Sequence, residues 1–137
     1  DTLTIKLAKN LVNLTSVETG SGNNKTKMTE NGITTTVKDG DTFKVTTTTP
    51  NGLATTEVKL DSDDKPTGES TTTTVTTDGV TITTQTPKNG DKPASTTETK
   101  LSKDGLATDG TIKVTGDNAK DLVTIAKETD PNATDKE

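Results

Sequence analysis

Six serines, 16 lysines and 21 carboxylates carry the chemistry available to this chain of 137 residues, which has no His, Cys, Trp, Tyr or Arg. A serine nucleophile needs a base, and without His the only base composition offers is Lys. All six serines, however, stand in polar, turn-rich or Thr-rich surroundings. No catalytic residue is expected, and the chain is not expected to be an enzyme. Zinc and disulfide chemistry fall away with Cys and His, and no cofactor is expected. Asp61-Ser62-Asp63-Asp64 places three carboxylates together, but it lacks the further spaced ligands and closing Glu of a calcium loop. A solvated linker is the better expectation, so no metal site is assigned. Asn13-Leu14-Thr15, Asn24-Lys25-Thr26 and Asn132-Ala133-Thr134 match the glycosylation triplet, a pattern that chance supplies readily in a chain so rich in Asn and Thr. Alternating Thr34, Thr36 and Thr46, Thr48 could order water as an ice-binding array. They sit among Lys and Glu, which favours a solvated face built from a good strand former. Nucleic acid is an unsuitable partner for a chain of net charge -5 with a single aromatic side chain, Phe43, because it lacks both Arg contacts to phosphate and platforms for bases.

The apolar supply is also short. Hydrophobic residues make up 23% of the chain, and Leu, Ile, Val and Phe together reach roughly 18%, below the level of about 20% at which a private core becomes doubtful. The net charge of -5 is too small to keep such a chain expanded. Order must therefore come from something other than a core of its own. No stretch is apolar for the length of a membrane-spanning helix. Asp1-Thr2-Leu3 does not open a signal peptide, so the chain reads as a piece excised from a longer one.

About one residue in four is Thr, whose β-branch suits a pleated, half-exposed surface. Asn-Gly or Asp-Gly pairs begin at Asn31, Asp39, Asn51, Asp78, Asn89, Asp104 and Asp109, marking tight turns between short antiparallel strands. A two-residue turn at Asn51-Gly52 sets Val45 opposite Val58 and Phe43 opposite Leu60. A three-residue turn over Asp39-Gly40-Asp41 sets Val37 opposite Phe43, Thr35 opposite Val45 and Ile33 opposite Thr47. Together they predict one apolar face of Ile33, Val37, Phe43, Val45, Val58 and Leu60, with Thr34, Thr36, Lys44, Thr46, Thr48, Glu57 and Lys59 behind it.

The pattern recurs. Thr29-Glu30-Asn31-Gly32-Ile33-Thr34 returns as Thr76-Thr77-Asp78-Gly79-Val80-Thr81, and Asn51-Gly52-Leu53-Ala54-Thr55 as Asp104-Gly105-Leu106-Ala107-Thr108. In the second copy the turn at Asp78-Gly79 places Val75 opposite Ile82, adding both to the predicted core face, while the loop from Pro87 to Pro93 leaves the strand ending at Leu101 without a fixed register. The chain divides into an N-terminal strand and connector over 1–27, a first β repeat over 28–60, a linker loop over 61–69, a second β repeat over 70–116, and a stalk-helix start with a polar tail over 117–137. Leu3, Ile5 and Leu7 alternate like a strand, and Leu7, Leu11 and Leu14 step like a helical turn. Ala119, Leu122, Val123 and Ala126 also sit at helical spacing, behind a cap at Asn118.

Leu7-Ala8-Lys9-Asn10-Leu11-Val12-Asn13-Leu14-Thr15-Ser16-Val17 resembles the connector of trimeric autotransporter adhesins of Gram-negative bacteria. Lys103-Asp104-Gly105-Leu106 with Thr108-Asp109-Gly110-Thr111-Ile112-Lys113-Val114 is similar to their passenger repeats. The resemblance implies an all-β, homotrimeric, β-prism-like fibre segment, in which each chain lends a one-sided sheet to a shared core. It further implies export to the cell surface, anchoring in the outer membrane through a C-terminal region outside this sequence, and attachment to host matrix, host surfaces or other cells. The alternative function is a monomeric Thr-rich module that binds ice or glycan.

Overall fold

The computed structural model describes residues 1–115 and 121–125. Nine strands follow one another as β1 (Val17–Ser21), β2 (Asn24–Thr29), β3 (Gly32–Asp39), β4 (Thr42–Thr49), β5 (Gly52–Leu60), β6 (Pro66–Thr76), β7 (Gly79–Thr86), β8 (Ser95–Ser102) and β9 (Gly105–Thr108). They form one sheet whose spatial order is the chain order, with every pair antiparallel. A separate hairpin joins β10 (Ile112–Thr115) to β11 (Asp121–Ile125). Among the described residues there is no helix.

Turn chemistry organises the sheet. Along one margin the same six-residue device occurs four times: Met28-Thr29-Glu30-Asn31-Gly32-Ile33, Thr48-Thr49-Pro50-Asn51-Gly52-Leu53, Val75-Thr76-Thr77-Asp78-Gly79-Val80 and Leu101-Ser102-Lys103-Asp104-Gly105-Leu106. In each, the Thr or Ser hydroxyl accepts from the amide two residues on, at 3.2 Å for Asn31, Asn51 and Asp78 and 3.3 Å for Asp104. That closure occupies the turn with its own side chain. The glycine is not a central turn residue but the first residue of the next strand. Gly52 has φ 138, and a Cβ there would lie 2.2 Å from the carbonyl oxygen of Val75.

This placement of the glycines shifts the register from the one the sequence predicts. Thr49 pairs with Gly52, so the turn is Pro50-Asn51, Phe43 lies opposite Val58, and Val45 opposite Thr56. The displacement is two residues, so the faces survive. Between β3 and β4 they do not. Asp39 pairs with Thr42 across a two-residue Gly40-Asp41 turn, which sets Lys38 opposite Phe43, Thr36 opposite Val45 and Val37 opposite Lys44. One residue fewer in the loop turns all of β3 over relative to β4. In the second half, Val75 pairs with Val80 and Thr73 with Ile82, which keeps Val75 and Ile82 on one face, and Leu101 lies opposite Val80.

The ends also differ from expectation. Residues 1–16 form neither the strand nor the helical turn that their leucine spacing suggests. Leu122 and Val123 belong to β11 rather than to a helix, and Asn118, Ala119 and Ala126 lie outside the described residues. The linker predicted over 61–69 is shorter than that, because β6 already begins at Pro66. Among the described residues only Leu60, at 8% exposure, is buried. It ends β5, its amide donating to the carbonyl of Asp41 at 2.7 Å.

Candidate functional site

The sheet is a single layer, so its two faces are its candidate functional surfaces. Residues directly opposite across a strand pair share a face. Following partners from β1 to β9 traces one rank through Val17, Met28, Ile33, Thr48, Leu53, Val75, Val80, Leu101 and Leu106. Eight of these nine positions are apolar, and the rank crosses the whole sheet. Two residues further along each strand, on the same face, runs a second file: Thr19, Thr26, Thr35, Thr46, Thr55, Thr73, Ile82, Thr99 and Thr108. Neighbouring hydroxyls in this file bond one another, Thr26 to Thr35 at 3.0 Å, Thr46 to Thr55 at 3.2 Å and Thr99 to Thr108 at 2.7 Å. Val37 lies one row beyond, opposite Lys44.

The opposite face holds Phe43, Val45, Val58 and Leu60. The predicted core face is therefore split in two. Ile33, Val37, Val75 and Ile82 belong to the face of Leu53, and Phe43, Val45, Val58 and Leu60 to the other. The two sets are differently covered. Phe43, Val45 and Val58 are half-buried, whereas Val17, Met28, Ile33, Val37, Leu53, Val75, Ile82, Leu101 and Leu106, all on the Leu53 face, are exposed at 38% or more. Strand β5 shows the contrast residue by residue, with Ala54, Thr56 and Val58 half-buried and Leu53, Thr55, Glu57 and Lys59 exposed.

The rank escapes a reading that fixes only two hairpins, since each strand contributes one side chain to it. Its signal is nonetheless in the sequence. In each copy of the marginal turn the glycine is followed by Ile33, Leu53, Val80 or Leu106, and in three copies the Thr or Ser is preceded by Met28, Val75 or Leu101.

Charges are paired on the surface. Lys59 reaches Asp41 at 2.5 Å, Lys38 reaches Asp64 at 2.7 Å and Lys44 reaches Glu57 at 3.5 Å. The Lys59 hydrogen bond holds the Asp41 carboxyl below its ordinary value, and the Lys59 ammonium is raised in turn by Asp41. The Asp61 loop folds on itself. Asp61 Oδ1 accepts from the amides of Asp63 and Lys65, both at 2.9 Å, and Asp64 is engaged by Lys38. Among the described residues no group of three or more His, Cys, Asp or Glu is arranged to hold a metal ion. Of the glycosylation triplets, Asn24 uses its carbonyl to accept the Lys38 amide at 2.7 Å.

Comparison with family models, curated proteins and solved structures gave no match.

Proposed function

We propose that this chain is a non-enzymatic structural and adhesive segment of a bacterial surface fibre, built as a homotrimer in the manner of the trimeric autotransporter adhesins its sequence resembles. The observation that carries this reading is a one-layer sheet with, among the described residues, one buried side chain and a rank across nine strands that is apolar at eight positions, seven of them exposed. A sheet needs a second layer to exclude water from its apolar side chains, and identical chains are the simplest source of that layer. Attachment to host matrix, host surfaces or other cells then rests on exposed loops and rims, with no residue doing chemistry. The fibre would stand on the outer membrane, held by a C-terminal region outside this sequence.

The file of eight threonines favours a second reading, a monomeric Thr-rich sheet that binds ice or glycan. Oligomeric state separates the two. Sedimentation equilibrium should give a trimer whose melting temperature rises with protein concentration. A stable monomer of 14.3 kDa at all concentrations would overturn the fibre reading and favour the monomeric module. Retention of cells or immobilised matrix proteins by the intact chain tests adhesion separately.

A further inference from the structure

We infer that the Leu53 face, and not the Phe43 face, is the surface on which copies of this chain meet. The inference deepens the fibre proposal and rests on its premise of self-association.

Three observations carry it. The first is the absence of charge. The rank from Val17 to Leu106 and the adjoining file from Thr19 to Thr108 together form a band crossing nine strands without an Asp, Glu or Lys. The corresponding rows on the Phe43 face contain Glu18, Lys25, Lys27, Glu98 and Lys100. Burying those rows against a second sheet would strand charges, whereas burying the band strands none.

The second is hydrogen bonding. The hydroxyls of Thr26 and Thr35, Thr46 and Thr55, and Thr99 and Thr108 each share one hydrogen bond within the sheet. One of the two donors in each pair is already used, so losing water costs these six hydroxyls less than it would cost six unpaired ones. The same pairing gives a glycan or an ice surface less to bond, so the band suits a partner as apolar and uncharged as itself.

The third is area. Nine strands at about 4.8 Å spacing, with the two rows of the band about 14 Å deep, present roughly 600 Å², the contribution per partner at the lower end of standard-size interfaces. A patch without charge offers an unlike partner no electrostatic register, while a second copy brings an equal band. The large exposed apolar side chains of the nine-stranded sheet all fall on this side, so covering it takes all of them out of water together.

The test uses the intact chain, which has no native cysteine. Leu53→Glu and Val75→Glu should each lower the association constant at least 100-fold by sedimentation equilibrium, and Val45→Glu should change it less than 5-fold, with circular dichroism reporting the strands. Single-thiol variants Leu53→Cys and Val45→Cys guard against misfolding. At associating concentrations the first should react with a maleimide at least 10-fold more slowly than on dilution, while the rate of the second stays constant. Association that survives both Leu53→Glu and Val75→Glu but fails with Val45→Glu, or protection only of the Val45→Cys thiol, overturns the inference and leaves the fibre proposal standing. A chain monomeric at every concentration overturns both.

Discussion

Ile33 and Phe43 lie on opposite faces of the sheet, because Gly40 and Asp41 alone close the hairpin that joins their strands. The register between β4 and β5 puts Phe43 directly opposite Val58 and one step away from Leu60. Directly opposed residues have Cα atoms about 4.5–5.5 Å apart, within disulfide reach, and diagonal ones lie about 7–8 Å apart, beyond it. Oxidation of the double variant Phe43→Cys with Val58→Cys should therefore give an intramolecular disulfide, and Phe43→Cys with Leu60→Cys should not. Peptide mapping by mass spectrometry reads the difference.

Gly79 begins β7 with φ 131, and a Cβ there would stand 2.0 Å from the carbonyl oxygen of Leu101. Gly79→Ala must move backbone, and should cost about 2 kcal/mol or more in urea unfolding. Gly40 has φ 59 and open space around it, so Gly40→Ala should cost only about 1 kcal/mol, the strain of the left-handed region alone.

Thr99 and Thr108 share the shortest hydroxyl contact of the file, at 2.7 Å. A double-mutant cycle with Thr99→Val and Thr108→Val should return a coupling of about 0.5–1 kcal/mol. The double variant should be close to wild type, since two apolar groups replace two hydroxyls that bond one another. Equal, additive losses from the single variants would show that the contact carries no energy.

The Asp41–Lys59 pair predicts the edges of the pH profile. Asp41 is held below its ordinary 3.8 by the hydrogen bond from Lys59. Its contribution is complete above that value and is lost as pH falls through the depressed folded one. Lys59 is held above its ordinary 10.5 by Asp41, so its contribution is complete below 10.5 and is lost as pH rises through the raised value. Stability should be level between these limits with respect to this pair. Asp41→Asn should flatten the acid limb, and because both groups are exposed, 0.5 M salt should flatten it too.

The strand content was legible in the Thr-rich composition, and the turns in their Asn-Gly and Asp-Gly pairs. The face of Phe43, Val45, Val58 and Leu60 was legible as well, because moving the β4–β5 turn from Asn51-Gly52 to Pro50-Asn51 shifts the register by two residues and preserves parity. The faces of Ile33 and Val37 were not. A three-residue and a two-residue loop at Asp39-Gly40-Asp41 fit the local sequence equally well and differ by one residue, which inverts a strand. The apolar rank was hidden for a related reason: Met28 and Leu106 stand seven strands apart and become members of one feature only when every intervening register is known. Spacing misled at Leu3 to Leu14, where alternation had no neighbouring strand to pair with.

Each strand of the sheet pairs by hydrogen bonds only with its predecessor and its successor in the chain, and the same turn recurs at one margin. Nothing closes the array, so it has no length at which it is complete. Duplicating one hairpin would add two strands, one more turn and two more steps of the apolar rank without altering any existing contact. Growth and shrinkage by whole hairpins would be nearly neutral, which makes the sheet a ruler that gene duplication can lengthen. A chain delivered from one end could also assemble in order of arrival, each strand docking on the one before it.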